Sequence, residues 1–153
     1  MRLMLDTTYF LPLVGISIKD LPRDALKDLL RGGHEVFVSE VSIFELSAKG
    51  AKYVAEGSIP PERVVRGVKA IVYEDRIMKV PIYEGKILRT SFKLKSVLAD
   101  FIDCIILSSA MARCEVLVTE DKDILKLRED RKFSEIMAEI NPTFEIRRIS
   151  EVL

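Results

Sequence analysis

The sequence has no hydrophobic run that approaches the roughly 18 residues needed to cross a membrane. Its first stretch, MRLMLD, meets an acid after a few apolar residues and is too short to be the core of a secretory signal. We therefore expect no membrane segment and a cytoplasmic location. Hydrophobic residues make up 48% of the chain and charged residues 31%, which excludes a disordered polyelectrolyte and indicates a globular protein.

Cysteine and histidine are scarce, with two cysteines and one histidine in the chain. Cys104 and Cys114 fall on one predicted helix, about 15 Å apart along its axis, so they cannot form a disulfide with each other. We expect both to be reduced core residues. His34 follows two glycines before a predicted strand and is expected to be a loop residue without a catalytic role.

The chain has no net charge, because 24 lysines and arginines balance 24 aspartates and glutamates. The whole molecule therefore offers no general attraction to nucleic acid, and a polyanion would need a local basic patch. Candidates for such a patch are Lys79, Lys86, Arg89, Lys93, Lys95, Lys122, Lys126, Arg128, Arg131 and Lys132. The alternative is that these side chains are solvated helix faces.

The chain has 153 residues, the size of one ordinary domain. It contains no internal repeat, low-complexity tract or linker. We therefore expect a single domain over residues 1–153.

Short apolar segments alternate with helical patterns along the chain. Strands are predicted at residues 2–5, 34–38, 78–82, 115–119 and 144–149. Helices are predicted at residues 9–14, 20–30, 39–57, 60–73, 84–95, 100–113 and 120–128. Pro81 cannot donate a ladder hydrogen bond, so the third strand is expected at a sheet edge or a strand end. The alternation predicts a parallel sheet in a three-layer α/β sandwich.

Several acids come directly after predicted strands, where the chain turns into a helix. Asp6, Asp121 and Asp123 occupy such positions. In an open parallel sheet this is the carboxyl edge, where ligands bind. Asp103 lies in the first turn of a helix, and Glu45 lies about two turns into another. Each acid also has an ordinary structural explanation, as an N-cap or as an acid favoured by the helix dipole.

Asp100 and Asp103 begin the helix with the sequence DFIDCIILSSA. As N-cap and N3 residue they fit a capping box. Capping does not explain why Asp103 lies in a helix that is apolar on nearly every face, because a buried carboxylate loses its hydration. Asp103 therefore requires a cation, a hydrogen-bond donor or a cleft.

A divalent cation is the expected partner, because several acids can converge at one sheet edge and would otherwise repel one another. The available ligands are carboxylate oxygens, with no cysteine pair. The ion should therefore be Mg2+ or Mn2+ rather than Zn2+.

Four segments resemble, in order and spacing, the acidic motifs of the PIN-domain nucleases, and in particular those of the toxin ribonucleases of VapBC toxin-antitoxin pairs. They are MLDTTYF, VSEVSIFEL, DFIDCIILSSA and LVTEDKDI, and the resemblance spans nearly the whole chain. It implies a five-stranded parallel sheet with helices on both faces. It also implies four catalytic acids, which are Asp6, Glu45, Asp103 and Asp121.

The resemblance extends to neighbouring positions and includes departures from the family. Thr119 matches a hydroxyl residue that is common before the fourth acid, and Thr7 would support the first. Thr8 stands in the third position of a motif that usually reads Asp-Thr-Asn or Asp-Ser-Ser; its hydroxyl could still support the site, but an amide contact would be lost. Asp123 competes with Asp121 as the fourth acid, and Asp100 stands where the family often has serine.

The implied reaction is metal-dependent hydrolysis of single-stranded or structured RNA by a bound water, leaving 5'-phosphate and 3'-hydroxyl ends. Mg2+ or Mn2+ would be bound by Asp6, Asp103 and Asp121, with Glu45, Asp100 and Asp123 as further candidates. The resemblance also implies a homodimer, for which residues 64–73 and 84–95 are candidate surfaces. It further implies a small antitoxin partner whose basic side chain enters the acidic pocket.

Other functions place acids at the same edge of a parallel sheet. A receiver domain needs an aspartate after the third strand, but Tyr83 and Glu84 follow it here. A haloacid-dehalogenase-type phosphatase needs Asp-x-Asp at the first strand, and Thr8 replaces the second acid. An RNA-processing nuclease outside a toxin-antitoxin pair and a non-catalytic RNA-binding or protein-binding module remain alternatives.

Overall fold

The computed structural model describes every residue from Met1 to Leu153. Its strands are β1 (Arg2–Leu5), β2 (Glu35–Ser39), β3 (Ile77–Val80), β4 (Val116–Val118) and β5 (Glu145–Arg147). Its α-helices are α1 (Ala25–Arg31), α2 (Glu40–Ala55), α3 (Pro61–Val72), α4 (Gly85–Leu94), α5 (Phe101–Arg113), α6 (Lys122–Lys126) and α7 (Arg131–Ile140). Short 3-10 helices cover Thr7–Val14, Leu127–Glu129 and Ile149–Glu151.

The strands form one five-stranded sheet in the order β3-β2-β1-β4-β5, and every neighbouring pair is parallel. Leu3 in the central strand is in register with Val36 of β2 on one side and Val116 of β4 on the other. The chain therefore extends the sheet first away from β1 through β2 and β3, and later in the opposite direction through β4 and β5. This reversal makes the carboxyl ends of β1 and β4 a switch point, where open α/β sheets bind ligands.

Alternation along the strands divides the core into two layers, one on each face of the sheet. Met4 and Leu117 pack with α4, α5 and α7, whereas Leu3, Leu5 and Val116 pack with the helices on the other face. The central strands are apolar on both sides because both sides are covered. The predicted three-layer α/β sandwich with a five-stranded parallel sheet is confirmed, and β3, which ends just before Pro81, is an edge strand as predicted.

The segment after β1 is fixed by a close contact with α3. A Cβ at Gly67 would lie 2.2 Å from the carbonyl oxygen of Leu13, so only glycine allows this approach. Arg63, one turn earlier on α3, donates hydrogen bonds to the carbonyl oxygens of Leu13 and Pro12. These contacts hold the 3-10 helix that begins directly after Asp6.

Helix α5 is the buried helix that the sequence predicts. Every residue from Cys104 to Met111 is buried, and Asp100 caps the helix by accepting a 2.9 Å hydrogen bond from Ile102 N. Both cysteines are free and buried, as expected. The N-terminus of α5 therefore carries its acids to the carboxyl edge while the rest of the helix fills the core.

One helix prediction was wrong in extent, and one helix was not predicted. The helix predicted at residues 20–30 begins only at Ala25, because Asp20 has a left-handed φ of 64° and the chain turns there. Helix α7 was missed, although Phe133, Ile136, Met137 and Ile140 have the i, i+3, i+4, i+7 spacing of an amphipathic helix and pack in or against the core. None of the helices in the fold combines the length and the apolar character of a membrane span.

Candidate active site

The acids meet in a cleft of about 290 Å3 that has no hydrophobic lining residue. Its walls are formed by Asp6, Thr7, Thr8, Glu45, Lys49, Asp100, Asp103, Glu120 and Asp121. We call this the acid cleft. All four acids of the predicted catalytic set lie in it, together with Asp100. Asp123 lines an adjoining cavity instead.

Asp6 lies at the end of β1 and is only 7% exposed. Its Oδ1 accepts a 2.8 Å hydrogen bond from the backbone N–H of Thr7, and its Oδ2 accepts a 2.6 Å hydrogen bond from Thr119 Oγ1. Burial raises the pKa of Asp6, and the nearby charges of Glu45 and Asp121 raise it further, while the two hydrogen bonds oppose this shift. The two hydrogen bonds thus fix the carboxylate in place, while burial and the neighbouring acids disfavour its ionised form.

Thr119 joins the first and fourth acids. It ends the β4 segment, donates to Asp6, and accepts a 3.0 Å hydrogen bond from the backbone N–H of Asp121. Asp121 Oδ1 in turn caps α6 through hydrogen bonds from Asp123 N at 2.9 Å and Ile124 N at 3.0 Å. Asp121 therefore faces the cleft from a rigid cap, while Asp123 is exposed on α6.

Asp103 lies at the third position of α5 and is partly buried. Its pKa is raised to about 7, first by burial and then by the charges of Asp6, Asp100, Asp121 and Glu45. Asp100 and Asp103 both line the cleft, although only Asp100 makes a capping hydrogen bond. Near neutral pH the carboxyl group of Asp103 is therefore partly protonated unless a cation is bound in the cleft.

Glu45 enters the cleft from α2, and a hydroxyl pair ties this helix to the segment after β1. Ser39 Oγ accepts a 3.3 Å hydrogen bond from Val41 N and caps α2. Thr7 Oγ1 donates a 2.9 Å hydrogen bond to the buried Ser42 Oγ, one turn before Glu45. Thr8 is half-buried and lines the cleft.

Two cleft residues escaped the sequence analysis. Glu120 Oε1 accepts hydrogen bonds from Tyr9 Oη and Ile149 N, each 3.0 Å long, and its Oε2 accepts one of 3.2 Å from Arg148. Burial and the adjacent Glu120 carboxylate raise the pKa of Tyr9, so its hydroxyl remains a donor. In the sequence TED, Glu120 lies between Thr119 and Asp121, which match the family motif, and Glu120 itself was therefore not singled out.

Lys49 is the other missed residue and is the single cation in the cleft. It follows Glu45 by one helical turn on α2, so the two side chains share a face. The spacing of four residues from Glu45 could have indicated Lys49 as a cleft residue, but many ordinary pairs on a helix surface have the same spacing.

The donors of the cleft suit a hard cation, since all are carboxylate or hydroxyl oxygens apart from Lys49. Burial, and after it the charges of neighbouring carboxylates, raise the pKa values of Asp6 and Asp103, and a bound divalent ion would oppose both shifts. However, no group of three or more His, Cys, Asp or Glu side chains is arranged to hold a metal ion. The acids line a cleft and do not form a preformed coordination shell.

Comparison with known proteins identifies the family. The family model described as PIN domain matches residues 3–130, which include all five cleft aspartates and glutamates named from the sequence. The chain belongs to the PIN-domain family. PIN domains are nucleases, and they generally use divalent metal ions. No curated protein matches the chain.

The fold is similar to that of a chain in a solved structure. This structure is titled "Crystal structure of VapBC2 from Rickettsia felis bound to a DNA fragment from their promoter". The TM-score is 0.60 at 18% sequence identity, and the match covers 97% of this chain and 98% of that one. The predicted PIN fold is thus confirmed by the family model and by the backbone comparison.

Proposed function

We propose that this PIN-domain protein is a Mg2+- or Mn2+-dependent endoribonuclease and the toxin of a toxin-antitoxin pair. The observation that carries the proposal is the convergence of Asp6, Glu45, Asp103 and Asp121 in one wholly polar cleft. Membership of a nuclease family supports the class of reaction. The motifs that resemble those of the VapBC toxin ribonucleases support the choice of RNA, and the likeness to a chain of the VapBC2 structure agrees with a toxin role.

The acids have distinct roles in this proposal. Asp6, Asp103 and Asp121 would hold the divalent ion. A divalent ion bound there would lower the pKa of a water molecule and stabilise negative charge on the phosphoryl oxygens. Glu45, which enters the cleft from α2, would orient the attacking water. Because water is the nucleophile, the products carry 5'-phosphate and 3'-hydroxyl ends.

The remaining polar residues keep the acids in position. Thr119 orients Asp6 through its hydroxyl, and the hydrogen bond from Thr7 to Ser42 fixes α2 relative to β1. Asp100 caps α5 and would act through the position of Asp103. Any contact of Asp100 with the ion would be through a bound water molecule. Asp123 lies on the exposed side of α6 and does not bind the metal ion in this proposal.

Metal binding can be tested by thermal unfolding in EDTA and in millimolar MnCl2. An ion that binds only the folded state stabilises it by RT ln(1 + [L]/Kd), which is about 2.7 kcal/mol at 100 times Kd. We expect a rise in Tm with MnCl2 that Asp103→Asn removes. Asp123→Asn is the matched control and should keep the full shift. An unchanged Tm in MnCl2 would count heavily against the nuclease.

The proposal extends to partners. The acid cleft, with its excess of negative charge, fits a basic side chain of a small antitoxin. Exposed apolar residues on α3 and near its end, Val65, Val72 and Tyr73, together with Phe92 on α4, are candidate homodimer contacts. A short reading frame immediately upstream of this one would support the toxin role, and co-purification of its product would test it. We also propose that residues 1–153 act as one domain.

A further inference from the structure

Two further cavities continue the acid cleft in one direction. The middle cavity, of about 380 Å3, has Asp100 and Asp103 as walls in common with the acid cleft. The outer cavity, of about 360 Å3, adjoins the middle one at Lys126, which lines both. The three cavities thus adjoin one another in this order, from the acid cleft past the N-terminus of α5 to the surface of α6, and we call them together the groove.

The charge of the groove changes along its length. Lys49 is the only cation that lines the acid cleft, and Lys126 is the only one that lines the middle cavity. The outer cavity is basic, with four cations and one acid among its six lining residues. Its cations are Lys122, Lys126, Arg128 and Arg148. The middle cavity is acidic as well, since Asp100, Asp103, Asp123 and Asp130 line it beside Lys126. The two acidic cavities are therefore followed by a basic surface, and Lys49 is the one cation within the acid cleft.

Three of these cations are free to bind a ligand. Arg128 pairs with Glu151 at 3.3 Å, and Arg148 pairs with Glu120 at 3.2 Å. Lys49, Lys122 and Lys126 are exposed and take part in none of the ion pairs of the fold. None of their ammonium groups forms an ion pair with a protein carboxylate.

The middle cavity has an apolar floor between these cations. Leu98 and Leu127 are buried beneath it, and Val97 is half-buried beside them. A flat aromatic ring can cover such a floor, whereas a phosphate group cannot. Because carboxylates line the same cavity, the floor can receive a neutral nucleobase but not a phosphate, whereas Lys122 and Lys126 in the outer cavity can bind phosphates.

We propose that the groove is the path of a single nucleic acid strand through this protein. Lys49 binds a backbone phosphate on one side of the acid centre, Lys126 and Lys122 bind phosphates on the other, and a base lies on the apolar floor between them. This inference rests on the proposed nuclease function and adds the route of its substrate. A protein without net charge has no general attraction for a polyanion, so these lysines supply it locally.

Salt-dependent binding tests the path directly. The probe is a fluorescein-labelled oligouridylate, followed by fluorescence anisotropy over a KCl series in EDTA, where metal-dependent cleavage cannot interfere. Each phosphate contact on a single strand contributes about 0.7 to the slope of log Kd against log salt. We expect Lys49→Ala and Lys126→Ala each to reduce the slope by about 0.7 and to weaken binding several-fold at low salt. The double variant should lose about twice as much.

Two exposed lysines outside the groove are matched controls. Lys52 lies on α2 with Lys49, and Lys132 lies on α7 beside a different cavity. Lys52→Ala and Lys132→Ala should retain the wild-type slope. The path is overturned if Lys49→Ala and Lys126→Ala behave like these controls, or if the wild-type protein does not bind the strand at all.

Cleavage in Mg2+ or Mn2+ is scored separately, so the two proposals can fail independently. A wild-type protein that cleaves RNA while all slopes are equal keeps its function and loses the path. A protein that cleaves nothing but shows the expected slopes keeps the path and loses the nuclease function.

Discussion

Thr119 Oγ1 donates a 2.6 Å hydrogen bond to Asp6 Oδ2, across 113 residues of sequence. Both side chains are buried, at the carboxyl ends of the neighbouring strands β4 and β1. The same hydroxyl accepts from the backbone N–H of Asp121. One threonine therefore sets the relative positions of two of the acids proposed to bind metal.

Thr119→Val should damage the site without changing the volume of the core. Asp6 would lose the hydrogen bond that most strongly opposes the rise in its pKa, so that pKa should rise further. We expect a loss of about 1 to 3 kcal/mol in the free energy of unfolding, measured by urea titration. The acid limb of the pH–rate profile should also move to higher pH, because Asp6 must be ionised to bind metal. Thr119→Ser keeps the hydroxyl and should behave like wild type; an unshifted profile in the valine variant would contradict this role.

Asp103→Asn should stabilise the metal-free protein at neutral pH while destroying its activity. The pKa of Asp103 is raised from 3.8 to about 7, so between these values the folded state holds a proton that the unfolded state has lost. Stability of the wild type should therefore fall as pH rises through this range. Since Asp103 is only partly buried, we expect the variant to gain on the order of 1 to 2 kcal/mol at about pH 8 and nothing at about pH 4. Urea unfolding in EDTA at both pH values measures the difference, and an equal effect at both would show that the pKa is ordinary.

Asp100 and Asp103 should separate in function although they share a helical turn. Asp100→Asn keeps a capping side chain and should weaken the start of α5 by about 1 kcal/mol or less, sparing part of the activity. Asp103→Asn should remove cleavage and most of the stabilisation by MnCl2. Parallel cleavage and thermal-shift assays of both variants decide the matter. Equal loss of activity would make Asp100 a direct metal ligand.

Gly67→Ala should be strongly destabilising, although the site is far from the acid cleft. The new Cβ would lie 2.2 Å from the backbone oxygen of Leu13, so α3 or the 3-10 helix must move. We expect a loss of about 2 kcal/mol or more, measured by urea unfolding. Gly50→Ala is a useful comparison, because its Cβ would meet only the side chain of Val64, at 2.6 Å. A smaller loss is expected there, since a side chain can shift more easily than backbone.

Much of the fold and of the acid cleft follows from local sequence patterns. Apolar strands ending in Asp6 and at Thr119 predict the carboxyl edge, and the apolar face of α5 predicts its burial. Which of Asp121 and Asp123 lines the acid cleft was not predictable, because it depends on where α6 begins: Asp121 caps the helix, and Asp123 lies exposed within it. Lys49 and Glu120 were missed for a similar reason, since only tertiary structure turns these surface-type residues into the cleft. Helix α7 was predictable, because Phe133, Ile136, Met137 and Ile140 repeat at helical spacing, but the prediction did not include it.

The most direct test of the proposed function is cleavage of a labelled RNA by the wild-type protein, with analysis of the product ends. We expect cleavage in Mg2+ or Mn2+, products with 5'-phosphate and 3'-hydroxyl ends, and none in EDTA or with Asp103→Asn. Cleavage that persists in EDTA and in Asp103→Asn, or that leaves 2',3'-cyclic phosphates, would contradict water attack in a metal-loaded acid cleft.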